Sequence, residues 1–198
     1  MDGKVFVIGR DSIPARTVLS EGESLQWTFV ALPGTSCEMT VEIDATAPGC
    51  SIDLAGLYIC KGEDRLKLRV LLRHECGDCT SRQLFKGIVG DSAKALFDGL
   101  IYVAPNAVRT EAIQENHSLL LNQGASAESR PQLEIYADDV VCSHGATTGF
   151  LDENELFYMR SRGIPEQQAR HLQMVAFLAP VASRLDETLS EEVYAQLS

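Results

Sequence analysis

The chain has 198 residues, enough for one domain or one domain with a small appendage. Its 17 lysines and arginines against 28 aspartates and glutamates give a formal net charge of −11, which argues against binding to nucleic acid or an anionic membrane surface. No run of 18 or more apolar residues predicts a transmembrane helix, and residues 1–4 do not begin a secretory signal. We therefore expect a cytoplasmic protein whose six cysteines are free thiols.

The first part of the chain has the pattern of many short β-strands. Alternating apolar residues recur at 5–9, 25–32, 39–43 and 66–72, and each stretch stops at glycine, proline or aspartate. Period-2 alternation broken at such turn residues is typical of short strands.

One phrase recurs within these strands: an apolar residue, a spacer, a glycine and an apolar run. It occurs around Gly56, Gly87 and Gly99, and the last two glycines follow each other closely in the chain. Repetition of this kind favours stacked coils, so we predict a mainly β protein built as a right-handed parallel β-helix. We expect the three glycines at the corners of the coils. The alternative is a β-sandwich with glycine bulges.

The next segment is less clear. Residues 107–121 have a composition that suits either a helix or another coil, and residues 124–131 are polar and small enough for a loop. Strand alternation resumes at residues 132–137.

The apolar period becomes helical after residue 149. Asp152 and Glu155 have the spacing of a capping box, which predicts a helix that runs to about Arg162. We therefore divide the chain into a β-helix core over residues 1–150 and a C-terminal helical subdomain over residues 151–198.

Two further helices are predicted in this subdomain. Pro165 suits the first position of the second helix, and Pro180 should end or kink it at Ala179. Thr188 and Glu191 suit the start of a last short helix.

Cys142 and His144 are the candidate ligands for a metal or a cluster. They are separated by a single residue, so on a strand they face the same side. A soft sulfur beside an imidazole nitrogen suits zinc or iron–sulfur chemistry. The alternative is a buried thiol beside a hydrogen-bonded imidazole.

His74, Cys76 and Cys79 resemble half of a zinc site. A structural zinc site needs a fourth ligand, which only Cys142 or His144 could supply. The alternative is a strand corner in which small thiol side chains are packed inside.

No catalytic motif is present. The chain lacks a nucleophile elbow, a Walker lysine loop, a dinucleotide-binding glycine pattern and a His-Glu-x-x-His zinc motif. A β-helix enzyme acting on polysaccharide would need carboxylates or basic residues repeated along one face, and the strands before residue 130 do not predict such a cleft.

Several longer motifs occur in order from His74 to Phe177. Together they resemble consecutive signatures of the SufB/SufD family, the scaffold subunits of the Suf machinery for iron–sulfur cluster assembly. The motifs are His74 with Cys79, then residues 80–84, 86–89, 99–103, 131–149 and 156–164.

Details of these motifs favour the SufD branch of the family. Residues 142–147, Cys-Ser-His-Gly-Ala-Thr, resemble the SufD motif at this position, whereas SufB-like sequences carry a glutamate-flanked histidine there. The cluster-associated cysteine of SufB falls where this chain has Asn116, which removes a thiolate from this subunit.

The resemblance implies a non-catalytic scaffold with a β-helix and a helical end. It implies SufB as a partner of the β-helix, the SufC ATPase as a partner of the helices, and a transient iron–sulfur cluster at the SufB interface held by His144 and Cys142. It leaves open a homodimer through the β-helix and reduced flavin in the full complex. The helical region that precedes the β-helix in the family is expected to be absent here. The alternative function is a stand-alone metal-binding or self-associating β-helix module.

Overall fold

The computed structural model describes residues 3–197, which form eleven strands followed by three helices. The strands are β1 Lys4–Val7, β2 Arg16–Leu19, β3 Ser24–Ala31, β4 Cys37–Ala45, β5 Ser51–Cys60, β6 Arg65–His74, β7 Thr80–Val89, β8 Lys94–Val103, β9 Thr110–Leu120, β10 Ser126–Ile135 and β11 Val140–Phe150. The helices are α1 Glu153–Ser161, α2 Glu166–Ala182 and α3 Glu187–Ala195.

The strands form two parallel sheets. Odd-numbered strands make one sheet in the order β1-β3-β5-β7-β9-β11, and even-numbered strands make the other in the order β10-β8-β6-β4-β2. Each coil therefore gives one strand to each sheet. Positions 24, 51, 80 and 111 stack in register, so each of these coils is slightly longer than the one before it. The parallel β-helix is confirmed, and the alternative β-sandwich is wrong.

The space between the sheets is filled by alternate residues of each strand. In β6, the side chains of Leu66, Leu68, Val70 and Leu72 are buried there, whereas the residues between them face outward. This alternation is the period-2 signal that the sequence carried.

The three repeated glycines do not form corners, which corrects that prediction. Gly56, Gly87 and Gly99 lie in the interiors of β5, β7 and β8. A Cβ on Gly56 would overlap the ring of Phe85 in the next coil, and a Cβ on Gly87 would overlap the ring of Tyr58 in the previous coil. The missing side chains of these two glycines therefore leave space for large aromatic rings from the neighbouring coils.

The spacing between Gly87 and Gly99 does not correspond to one full coil of the solenoid. The two residues belong to opposite sheets of the same coil, so the spacing measures one strand and one turn. A Cβ on Gly99 would lie 2.5 Å from Nε2 of Gln114, so this glycine too makes room for a long side chain. Corners are formed instead by turns such as those at Gly49 and Gly62, where φ is +75° and +62°.

The uncertain segment is part of the solenoid. Residues 110–120 are strand β9, and the loop predicted over residues 124–131 is wrong because β10 begins at Ser126. Pro131 lies inside β10, and within residues 3–197 this strand pairs only with β8. An edge strand tolerates proline because the missing N–H removes no hydrogen bond on its open side.

Helix α1 begins and ends as the sequence predicts. The carboxylate of Asp152 accepts hydrogen bonds from the backbone N–H groups of Asn154 and Glu155 at 2.8 and 3.2 Å. The chain leaves the helix through Gly163, whose φ is +86°. This is the left-handed conformation in which a glycine commonly ends a helix.

The boundaries of the other helices differ from the prediction. Pro165 precedes α2 as its N-cap, and α2 continues beyond Pro180 to Ala182. Proline is tolerated there because it lies in the last turn, where it removes a single backbone hydrogen bond. Helix α3 begins before Thr188, because the Asp186 carboxylate caps it by accepting from Leu189 N–H at 2.8 Å.

The helices cover the outer face of the odd-numbered sheet. Val30, Leu57 and Ile88 on that face form a second core with Leu178 and Val181 of α2. This explains why the end of β5 is apolar on both of its faces. None of the helices described in residues 3–197 is long and apolar enough to cross a membrane.

We expect Gly87→Ala to destabilise the fold by about 1–3 kcal/mol, because the added methyl group must displace the buried Tyr58 ring. Urea denaturation measures the loss. Gly149→Ala is the matched control, since a Cβ on that strand glycine meets nothing within 4 Å. Equal stability of the two variants would contradict the crossing of Tyr58 over Gly87.

Candidate functional site

The motif with the candidate ligands lies at the end of the β-helix. Within residues 3–197, β11 pairs only with β9, and β10 pairs only with β8. One edge of each strand therefore leaves its backbone N–H and C=O groups without a neighbouring strand. The inward-facing side chains of this last coil are open to solvent because no further described coil covers them.

Cys142 and His144 lie side by side on this edge strand. Cys142 is opposite Ala112 of β9, and His144 is opposite Gln114. Both partners are buried between the sheets, so the two candidate ligands face the same inner side at the open end.

The two side chains differ in accessibility. His144 is exposed, whereas Cys142 is half-buried against the interior apolar core. Burial raises the pKa of the Cys142 thiol, so the thiol is protonated at neutral pH. The edge therefore offers one accessible imidazole and one less reactive sulfur.

Two donors do not complete a tetrahedral metal site. In residues 3–197, no group of three or more histidine, cysteine, aspartate or glutamate side chains is arranged to hold a metal ion. Any iron at this edge would need ligands from another molecule.

Asn116 lies one strand below the edge and is buried in the interior. Its Oδ1 accepts a hydrogen bond from the hydroxyl of Tyr58 at 3.4 Å, and that hydroxyl also bonds Ser118 Oγ at 2.8 Å. Burial raises the pKa of Tyr58 to about 12. The amide therefore takes part in an internal hydrogen-bond network.

Sequence reasoning missed a polar column beneath His144. Gln83 and Gln114 are stacked with it in successive coils, and Gln114 Nε2 donates to Gln83 Oε1 at 3.1 Å. Both amides are fully buried. The signal was available, because Gln114 and Asn116 occupy inward positions of β9 that alternate with outward ones.

His74, Cys76 and Cys79 do not assemble half of a zinc site. His74 is buried, and its Nε2 is hydrogen-bonded to Ser81 Oγ at 2.9 Å. Cys76 donates to Thr46 O at 3.1 Å, and the buried Cys79 thiol points to a neighbouring carbonyl group. The arrangement matches the alternative interpretation, a corner with packed thiols.

A second surface is a groove of about 580 Å³ between the first two helices and the end of β11. Its lining is mainly apolar, and the ionisable lining residues, Asp152 and Glu155, are both acidic. Acidic residues do not suit the phosphate of a flavin nucleotide, so this groove does not fit that cofactor. Phe157, Tyr158 and Leu172 are exposed on the same two helices.

The outer face of the even-numbered sheet carries rows of charged residues that sequence reasoning did not identify. Lys67 bridges Glu38 at 2.8 Å, and Arg69 bridges Asp98 at 3.1 Å. Because these carboxylates are paired across adjacent coils, the rows are ladders of ion pairs.

The buried His74 should make the fold sensitive to mild acid. Burial lowers the pKa of His74 to about 4, below its usual value of about 6.5 in an unfolded chain. The stability contributed by neutral His74 is complete above pH 6.5 and is lost as the pH falls towards 4, because the unfolded chain binds the proton first. We expect a loss of about 2 kcal/mol between pH 7 and pH 5.

Urea denaturation at both pH values measures this loss. His74→Gln should show a smaller difference between pH 7 and pH 5 than the parent chain. An unchanged difference would assign the acid sensitivity to other groups, such as half-buried His117, whose pKa is also lowered by burial.

Comparisons with known proteins agree with the fold and with the motifs. A family profile described as "SUF system FeS cluster assembly, SufBD core domain" matches residues 14–177. The match thus begins well before His74, the first residue of the motifs that carry the resemblance, and includes the early coils of the solenoid.

The chain is also similar to individual members of that family. It is 48% identical to the iron–sulfur cluster assembly protein SufD of Escherichia coli over 130 residues, which are 65% of this chain and 31% of that protein. It is 34% identical to a SufBD family protein of Mycobacterium leprae over 176 residues, 85% of this chain and 45% of the relative. It is 31% identical to SufD of Plasmodium falciparum over 170 residues, 85% of this chain and 12% of the relative.

The chain matches less than half of the length of each of these relatives. The profile, however, covers most of the chain, including the odd-numbered strands from β3 to β11. The chain therefore belongs to the SufB/SufD family of iron–sulfur cluster assembly proteins.

Proposed function

We propose that this chain is a non-catalytic, SufD-like scaffold of the cytoplasm on which an iron–sulfur cluster is assembled. A SufB subunit packs against the open end of the β-helix, and the SufC ATPase binds the C-terminal helices. The observation that carries the proposal is the exposed imidazole of His144 on an edge strand that has no described neighbour on its outer side.

The open end has the properties of a protein interface. Unpaired backbone groups on β10 and β11 can bind the strands of a partner by extending each sheet. Exposed apolar side chains lie on and between these strands, which supports burial by a partner: Ile135, Tyr136, Val141 and Phe150.

The ligand chemistry supports a shared cluster. His144 supplies an exposed imidazole nitrogen, whereas the thiol of Cys142 must release its proton to bind iron. Asn116 is buried and is a poor ligand for iron, so it does not replace a thiolate. SufB would therefore supply the remaining ligands, with His144 as the main donor and Cys142 as the secondary one.

The helical end supports binding of a second partner. Phe157 of α1 is 73% exposed, and Leu172 of α2 is 42% exposed beside the apolar groove. Leu156 is the fully buried residue of helix α1, and Met159 is partly buried against the same core of the described chain. A helix surface with unburied apolar residues is suited to recognition by another protein.

We expect His144→Ala to lower the cluster content of the assembled complex severalfold, because the accessible donor is lost. Iron, sulfide and absorbance measurements on complexes of equal subunit composition give the content. His117→Ala is the matched control, since this histidine lies on β9 and bonds Thr147 on the outer side of the sheet. Cys142→Ser should have a smaller effect than His144→Ala.

If the His144→Ala complex takes up as much cluster as the parent complex, His144 is not a ligand. If the His117→Ala complex loses as much cluster as the His144→Ala complex, the loss reflects a general effect on the strands. Either result would contradict the assignment.

We expect the double variant Phe157→Ser, Leu172→Ser to weaken SufC binding by roughly tenfold or more, because each removes an exposed apolar contact. Surface plasmon resonance with purified SufC measures the change. Val18→Ser is the control, since Val18 is 54% exposed on β2, in the other sheet from the strands that carry the helices. Unchanged SufC affinity of the double variant would place SufC elsewhere.

The same open end also favours a second candidate state, a homodimer through the β-helix, because an unpaired strand edge can pair with a second copy of the chain. Sedimentation of the isolated chain and of Val141→Lys tests this. A dimer that the lysine dissociates supports pairing through β11, whereas a dimer that persists excludes this edge.

A further inference from the structure

A corner of the β-helix brings together three thiols that the proposed function does not use. Cys50 immediately precedes β5, and Cys79 immediately precedes β7 in the next coil. Cys76 belongs to the same turn as Cys79. This thiol corner, defined by Cys50, Cys76 and Cys79, lies two coils before the edge strand that carries His144.

Cys50 and Cys79 are direct neighbours in adjacent coils. The residues that follow them, Ser51 and Thr80, are register partners, and Thr80 N–H donates to Cys50 O at 2.9 Å. Adjacent parallel strands lie about 4.8 Å apart, within the roughly 4.4–6.8 Å between Cα atoms that a disulfide spans. Both side chains belong to the interior core, so they point to the same side.

The two sulfur atoms are held at the same carbonyl group. Sγ of Cys50 lies 3.1 Å from Ala47 O, and Sγ of Cys79 lies 3.5 Å from the same oxygen. Their exposures are 1% and 0%, so neither sulfur faces solvent.

Cys76 connects this buried pair to the surface. It is half-buried, and its Sγ donates to Thr46 O at 3.1 Å, the carbonyl group next to Ala47 O. The three thiols therefore converge on two consecutive carbonyl groups of one turn. Only Cys76 combines this position with access to solvent.

We propose that the thiol corner is a site of oxidative modification. A peroxide oxidises Cys76, a Cys76–Cys79 disulfide forms, and thiol–disulfide exchange converts it to a buried Cys50–Cys79 disulfide. In the first step the Cys76 sulfur attacks hydrogen peroxide, forming a sulfenic acid and releasing water. In the second step the Cys79 sulfur attacks the Cys76 sulfur, forming a disulfide and releasing a second water. In the third step Cys50 attacks Cys79 and returns Cys76 as a thiol.

The overall change is the loss of two hydrogens from Cys50 and Cys79 and the reduction of one peroxide to two waters. Direct reaction of peroxide with the buried pair is disfavoured, because neither sulfur faces solvent and burial raises the pKa of the Cys79 thiol. The half-buried Cys76 is the accessible entry to the pair.

The disulfide would tie two successive coils together. A cross-link between Cys50 and Cys79 closes the loop between these two residues, and such a link stabilises a protein mainly by restricting its unfolded chain. This effect does not depend on His144 or on any partner, so formation of the disulfide can be tested independently of the proposed function.

The test uses the full chain. The purified reduced protein is treated with a small excess of hydrogen peroxide, its free thiols are alkylated, and it is digested with trypsin without reduction. We expect residues 17–61 and 74–82 to be recovered as one linked peptide, with tandem mass spectrometry placing the bond between Cys50 and Cys79. The melting temperature should rise by roughly 5–10 °C and return after reduction.

Single substitutions separate the steps. Cys76→Ser should slow formation of the link by roughly tenfold or more, since peroxide loses its accessible thiol. Cys50→Ser should leave a Cys76–Cys79 disulfide instead. Cys37→Ser, at the start of β4, is the matched control and should form the Cys50–Cys79 link at the parent rate.

Two results would overturn the proposal. In the first, peroxide treatment of the parent chain gives only overoxidised Cys76 and no Cys50–Cys79 disulfide. This result does not depend on whether any variant folds. A Cys76→Ser chain that forms the link as fast as the parent would exclude Cys76 as the entry.

Discussion

The structure depends on the register between β5 and β7, which is fixed by two reciprocal contacts between an aromatic ring and a glycine. Phe85 of β7 occupies the space above Gly56, and Tyr58 of β5 occupies the space beside Gly87. A shift of one residue would place a Cβ in the path of each ring and would turn every inward side chain outward. Strands β9 and β11 continue the same sheet, and the register between them places His144 opposite the inward Gln114.

The position of the site follows from where the stack of coils ends. In the middle of the solenoid, every strand has a neighbour on both sides, so inward side chains are buried and cannot contact another protein. On β11 the inward side chains are covered on one side alone, and an imidazole there is accessible while it is still held by a regular strand. A strand holds a ligand more rigidly than a loop does.

Much of this arrangement could be predicted from the sequence, because the fold rests on period-2 alternation. The strands predicted at residues 25–32, 39–43 and 66–72, the change to helices after residue 149 and the cap at Asp152 were correctly assigned. The roles of Gly56 and Gly87 could not be predicted, because they depend on rings that the neighbouring coil supplies. The strand at Pro131 was missed for a similar reason, since only the sheet order shows that β10 is an edge.

The site was predicted less completely than the fold. The spacing of Cys142 and His144 correctly gives a shared face, but spacing does not report that one is half-buried and the other exposed. That difference arises from the open end of the stack, which no local pattern encodes. Local spacing likewise groups Cys76 and Cys79 with His74, whereas the stacking of coils brings Cys79 next to Cys50.

Along the column of inward side chains that ends at His144, the interior changes from apolar to polar. This change bears on how a partner could stabilise the open end. The inward positions are Trp27 and Leu54 in the early coils, then Gln83, Gln114 and finally His144. Within the described chain, Gln83 Nε2 and Gln114 Oε1 have no hydrogen-bond partner. An unpaired buried polar atom costs about 1–3 kcal/mol, so these two atoms oppose the stability that apolar burial gives the interior. Strands added to β10 and β11 would bury the last coil and supply hydrogen bonds to its open edge, so a partner would stabilise the coil that carries His144.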